Sequence, residues 1–309
     1  MQEIPLNDWD YEPLTNDVMF HLVFLTNEKA RKALVSVMLN IPENEIGEIV
    51  VKNPLQFSDS FDAMQTVLDL RLQLSNGTFI NIEMQVKPFP EWTNRTVVYS
   101  CRQITDQSNT DGFSYSALEP VIHIAIMNYT LFKDHKKFFA KYEVRDEDGY
   151  RYTDKLQFLV MNLKAISKAT DEDRRRGLVQ WAEAFTAKNW EQIKKIKNSG
   201  IQEAVKQMQA VLGNPQQRQM IWSRKLAQMD HDSQIESART EGIAIGKSEG
   251  IAIGKSEGIT EGIAIGQSKG ENRVVRLMAR LFSLGRQQDA EKATNDVAYR
   301  EKLFLEFGL

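Results

Sequence analysis

Along 16–39 the apolar residues Val18, Met19, Leu22, Val23, Leu34, Val35, Met38 and Leu39 recur at the spacing of a helix face, with a break near Asn27. The pattern predicts two short helices. After a loop around Pro54 the period changes to alternation over 66–74 and again over 78–86, and Ser75-Asn76-Gly77 between the two runs is a turn signal, so a β-hairpin is expected. Helical spacing returns over 91–104. The nearly continuous apolar run at 120–127 reads as a buried strand. The order α-α-β-β-α-β predicts a mixed sheet flanked by helices.

Residues 171–239 carry helical periodicity interrupted at Asn198-Ser199-Gly200 and Gly213-Asn214-Pro215. Next comes a repeat: EGIAIGKS occurs twice and returns after a four-residue insertion as EGIAIGQS, which sets glycine at every fourth position from Gly242 to Gly270. Glycine weakens a helix by about 1 kcal/mol relative to alanine, so the segment is a poor isolated helix. Its isoleucines, two apart within each unit, suit a strand as well. If helical, the glycine stripe drifts about 40° per four-residue step and favours a wrapped contact. The last stretch regains helical spacing through Val275, Leu277, Met278 and Leu281. The expected organisation is an α/β domain over 1–165, a helical region over 166–240, an association segment over 241–271 and terminal helices over 272–309.

Composition narrows the function classes. A length of 309 residues with 42% hydrophobic content suffices for a buried core, and a net charge of −3 excludes a protein that coats nucleic acid through bulk positive charge. Cys101 is the single cysteine, so no intrachain disulfide can form, and Met1-Gln2-Glu3-Ile4-Pro5 lacks the order of a signal peptide. A cytoplasmic protein is expected. No apolar run approaches membrane-spanning length, so no membrane partner is expected. The repeat lacks a phosphate-loop fingerprint, which argues against a nucleotide cofactor. His21, His123, His135, His231 and Cys101 show no zinc-ligand spacing.

The hairpin carries the candidate chemistry. A two-residue Asn-Gly turn would mix its apolar and polar faces, whereas the three-residue loop Ser75-Asn76-Gly77 pairs Leu74 with Thr78 and gives glycine the left-handed position. That register sets Leu70, Leu72, Leu74, Ile80 and Ile82 on one face and Asp69 opposite Glu83 on the other. Directly opposed carboxylates repel, so solvent screens them, one is protonated, or a cation sits between them. Mg²⁺, a hard ion that takes oxygen ligands, is the natural candidate for the last case.

Asp69, Gly77, Asn81-Ile82-Glu83-Met84-Gln85, Arg95, Tyr99 and the run from Tyr115 through Ile126 form an ordered pattern. With Thr15-Asn16-Asp17-Val18-Met19-Phe20 before it and Ser223-Arg224-Lys225 after it, the chain resembles the Rpn family of recombination-promoting nucleases and transposases, in the PD-(D/E)XK superfamily. The resemblance implies a restriction-endonuclease-like α/β fold with a helical C-terminal region. It implies a metal-dependent DNA endonuclease acting in recombination, with Mg²⁺ or Mn²⁺ held by Asp69 and Glu83. Gln85 would occupy the place of the superfamily's lysine, and the Met84 backbone carbonyl would add a metal ligand. Lysines frequent in the family are replaced here by His21 and Gln65, which weakens phosphate binding.

Asp17 is either an additional site acid or a favourable charge at a helix start. Arg95 and Tyr99 share a helix face, with Gln103 one turn further; they either meet the scissile phosphate or support the sheet. His123, inside the apolar strand, reads as a core residue. The rival to an endonuclease is a nuclease-fold module that works by DNA binding or by self-association through 241–271 into a homo-oligomer.

Overall fold

Two asparagines divide the first helical stretch. The Asn16 side chain accepts from Met19 N and starts α1 (Asp17–Thr26). Asn27 ends it by donating its N–H to the Val23 carbonyl, and starts α2 (Glu28–Leu39) by accepting from Ala30 N through its side chain. The break thus falls where the pattern of apolar residues places it. This computed structural model describes residues 11–52, 70–109 and 111–309.

The sheet contains six strands: β1 (Ile49–Val51), β2 (Leu70–Leu74), β3 (Phe79–Gln85), β4 (Val121–Met127), β5 (Phe139–Glu143) and β6 (Leu156–Asn162), in the spatial order β1-β2-β3-β4-β6-β5. Helix α3 (Trp92–Gln107) lies in the crossover between β3 and β4. Strands β3, β4 and β6 are parallel neighbours, and β2 and β5 join them antiparallel, which is the mixed sheet expected. The hairpin register is the one its faces required: Gln73 pairs with Phe79 and Leu72 with Ile80, and Leu74 N donates to Thr78 O at 2.9 Å. Gly77 closes the turn with φ of 90°, a conformation that side-chain-bearing residues rarely adopt. Strand β4 is buried along its whole length, as its apolar run predicts for a central parallel strand.

Three strands were not anticipated. β1 is only three residues long, β5 is an edge strand interrupted by Lys141 and Glu143, and β6 pairs with β5 across a turn at Asp148-Gly149 whose signal lies several residues from either strand.

One sheet face, carrying Leu70, Leu72, Ile80, Ile82, Ile122 and Ile124, packs into a core shared with α1 and α2. The helices α4 (Asp171–Arg175), α5 (Leu178–Thr186), α6 (Trp190–Lys194) and α7 (Ser199–Gly213) follow, and Trp181, Phe185, Ile193, Ile201 and Met208 enter that same core. Phe20, Phe24, Trp181 and Phe185 interlock with ring centroids 4.8 to 6.3 Å apart. Apolar packing therefore runs across the sequence boundary drawn at 165/166.

Asn214 caps the next helix by accepting from Gln216 N and Gln217 N, and Pro215 occupies its first position, where no N–H is needed. This helix, α8, runs Pro215–Ser283, and the repeat lies within it as helix rather than strand. The chain divides into two units, 1–229 and 230–309. In the second, α9 (Gln287–Asn295) and α10 (Val297–Phe307) pack Ala290, Ala293, Leu303 and Phe304 against Leu277 and Leu281 at the end of α8 in a small core. All residues of 241–271 are exposed. No helix among the described residues is long and apolar enough to cross a membrane.

Candidate active site

The second sheet face is covered by α3, whose Trp92, Thr96 and Ser100 are buried. Strand alternation directs Asn81, Glu83 and Gln85 toward it, and the parallel register places Asn81 beside His123 and Glu83 beside Ala125. Phe158 and Val160 continue the two rows on β6. Asn81 and Glu83 therefore lie under a helix rather than in solvent, while Arg71 on the neighbouring strand stays exposed. Glu83 is 3% exposed and His123 is 1% exposed.

A buried carboxylate needs partners. Glu83 Oε1 accepts from Gln85 Nε2 and from the Arg95 guanidinium, and Arg95 also lies over the Phe89 ring, 4.9 Å from its centroid. His123 Nε2 approaches Glu83 Oε2 at 3.4 Å without making a hydrogen bond to it. The other His123 nitrogen, Nδ1, lies 3.3 Å from Asn81 Nδ2. Trp92 and Phe158 hold the imidazole, with centroids 5.7 and 6.2 Å away. Burial alone would push the Glu83 carboxyl up. The His123 nitrogen, the Arg95 charge and the Gln85 amide outweigh it and hold the group below the usual carboxylate range. Glu83 is thus an ionised acid inside the protein.

Tyr129 borders the same site. Burial, with the Glu83 charge adding to it, pushes its phenol up against the opposing influence of the Phe89 backbone and Arg95, so it stays protonated.

Asp69 lies outside the described residues, as does Gln65. Gln85 and Arg95 join Glu83 directly. Tyr99 and Gln103 are half-buried along α3. Asp17 is engaged elsewhere: its Oδ2 accepts from Arg224 Nε at 2.7 Å, while Lys225 Nζ reaches Glu12 Oε2 at 2.6 Å, so two ion pairs bind the start of α8 to the first turn of α1 and the residues before it. His21 is buried on α1. Asn81, His123 and Tyr129 are the additions that sequence reasoning missed. A histidine in an otherwise apolar strand is a signal, but pairing it with Glu83 requires the register across a helical crossover.

Among the described residues no three His, Cys, Asp or Glu side chains converge as a metal cage. What Glu83 offers a hard cation is one carboxylate oxygen, the ligand type such an ion takes. Glu83 Oε2 has no hydrogen-bond donor among the described residues. Gln85 O accepts from Asn128 N on the β4 side at 2.8 Å, so alternation turns the Met84 carbonyl to the opposite side, beyond Leu70.

A family model of the PD-(D/E)XK nuclease family transposases matches residues 14–238. The chain belongs to this family. No curated protein and no solved structure matches it. Membership gives the PD-(D/E)XK transposase a nuclease-like role, and such nucleases typically use divalent metals. The match spans α1, the sheet, α3 and the helices up to the start of α8, so the Glu83 cluster and the Asp17–Arg224 pair both lie inside it.

Proposed function

We propose that this chain is a metal-dependent DNA endonuclease that hydrolyses phosphodiester bonds and acts in DNA recombination. The observation that carries the reading is Glu83: a buried carboxylate held ionised on a central strand, with one oxygen free of hydrogen-bond donors among the described residues. Asp69, Glu83 and the Met84 carbonyl would hold Mg²⁺ or Mn²⁺. The chemistry such an ion supplies when bound is polarisation of the phosphoryl oxygen and acidification of a water. Gln85 orients the attacking water through its amide. Arg95 offsets phosphate charge from α3, with Tyr99 and Gln103 extending that face. His123, locked by Asn81, keeps Glu83 ionised and in place.

The test is nicking of supercoiled plasmid by the full chain with Mg²⁺ or Mn²⁺, beside Asp69→Ala and Glu83→Ala proteins matched for folding by circular dichroism. Nicking that disappears with chelator and in both variants is expected, and a closed circle excludes attack from an end. Absence of nicking by the intact, folded chain overturns the proposal.

A further inference from the structure

The repeat helix offers a face that no other element packs against among the described residues. At Gly246 and Gly250 a Cβ would meet nothing within 4 Å, so packing among the described residues does not require glycine at either position. Ile243 and Ile253 are 62% and 58% exposed. Neither feature alone identifies a partner; the order of residues around Ser248 does.

Read outward from Ser248 in both directions, 238–258 is a palindrome in its apolar and small residues and an inverted one in its charges. Gly246 mirrors Gly250, Ile245 mirrors Ile251, Ala244 mirrors Ala252, Ile243 mirrors Ile253 and Gly242 mirrors Gly254. Lys247 mirrors Glu249, Glu241 mirrors Lys255 and Arg239 mirrors Glu257. An antiparallel copy centred on the same residue therefore presents like against like for packing and opposite against opposite for charge.

Helix geometry selects the contact. At about 100° per residue, Arg239, Ile243, Gly246, Gly250, Ile253 and Glu257 fall within about 40° of one line along the helix, on the side away from Ser248. The two glycines sit at its middle, where the absence of Cβ lets two backbones approach. The isoleucines flank them, and the charged pair closes each end. Glu241 and Lys255 point outward and are screened. Other alignments lose this match. A parallel, in-register pair sets Arg239 against Arg239 and Glu257 against Glu257, and an antiparallel pair centred on Ala252 sets Ile243 against Glu261. Directly opposed like charges and a desolvated glutamate both count against association.

We propose that this face binds a second copy of the same chain, antiparallel and centred on Ser248, with Gly246 and Gly250 at the crossing and Arg239 of each copy facing Glu257 of the other. The proposal is independent of the nuclease reading.

The full chain tests it. In a Cys101→Ser background, one protein carries Ile243→Cys and another Ile253→Cys; on mixing under mild oxidation, the disulfide between the two different proteins should predominate. The two copies of Ile243 lie about 15 Å apart along the axis in this arrangement, beyond disulfide reach. Predominant Ile243–Ile243 linkage overturns the antiparallel register. Sedimentation should show a dimer that Arg239→Glu dissociates and that Arg239→Glu with Glu257→Arg restores. Gly246→Leu should abolish the dimer while leaving helical ellipticity equal or greater, since leucine is the better helix former. A full chain that stays monomeric, or a dimer indifferent to both the charge reversal and Gly246→Leu, overturns the proposal and leaves the face to a different protein.

Discussion

Replacing Arg95 by methionine keeps most of the aliphatic stem and removes the cation that Glu83 depends on. Breaking a fully buried ion pair by deleting one partner costs roughly 3–5 kcal/mol. Here the Arg95 side chain is 21% exposed and that of Glu83 is 4% exposed, and His123 remains beside the acid, so the expected loss is smaller. We expect about 2–3 kcal/mol at pH 7.5. The sign of the pH dependence follows from Glu83. In the parent its pKa is depressed, so it contributes stability above the unfolded carboxyl pKa and loses that contribution as pH falls through the folded value. In Arg95→Met, burial is less opposed and the folded pKa rises, so protonation relieves the penalty and the gap between the two proteins narrows on acidification. Urea unfolding at pH 7.5 and 5.0 with chelator present measures it. All five tryptophans precede residue 230, so their fluorescence reports the first unit alone. A loss under about 0.5 kcal/mol, the size of an ordinary surface change, or a gap that widens at pH 5.0, would refute the assignment of Arg95 as the counter-ion of Glu83.

His123→Leu, an apolar replacement in an apolar strand, should leave the fold intact and raise the pH at which Glu83 titrates, read by carboxyl ¹³C NMR; an unchanged titration sinks the positioning role. Asp17→Asn should cost about 1–2 kcal/mol in urea by weakening the charged bond to Arg224, with the plasmid-nicking rate unchanged below the unfolding transition. A nicking rate that collapses in the folded variant would return Asp17 to the active site. Gly77→Ala should cost about 1–2 kcal/mol by calorimetry, because φ is 90° and the new Cβ would run into the Glu119 carboxyl group. Equal stability would show that the turn relaxes freely.

What was legible in the sequence depended on how local its cause was. The hairpin register followed from three neighbouring facts: alternation in two runs, Gly77 in the turn and the need for one apolar face. Asn27 marked a helix boundary because its side chain can cap only what begins beside it. The contact between His123 and Glu83 was illegible for the opposite reason. It depends on how far the chain slides in a parallel pairing after a helical crossover, and no turn sets that distance. The shared core was hidden in the same way: Trp181 and Phe185 read as the apolar side of some helix, and only tertiary packing says that Phe20 and Phe24 fill the other side.

The neutral Gln85, which the family resemblance sets in the place of a lysine, has a physical context in the fold. Gln85 brings no charge to Glu83, and the polar face of the hairpin, taken alone, looked poor in cations. The cation comes instead from Arg95 on α3, and His123 on β4 brings its Nε2 to 3.4 Å from the other carboxylate oxygen. Because both act on Glu83 from outside the hairpin, the ionisation of that acid depends on the packing of α3 against the sheet. A change that loosens this packing, even one distant from Glu83 in sequence, therefore acts on the carboxylate's charge as well as on stability.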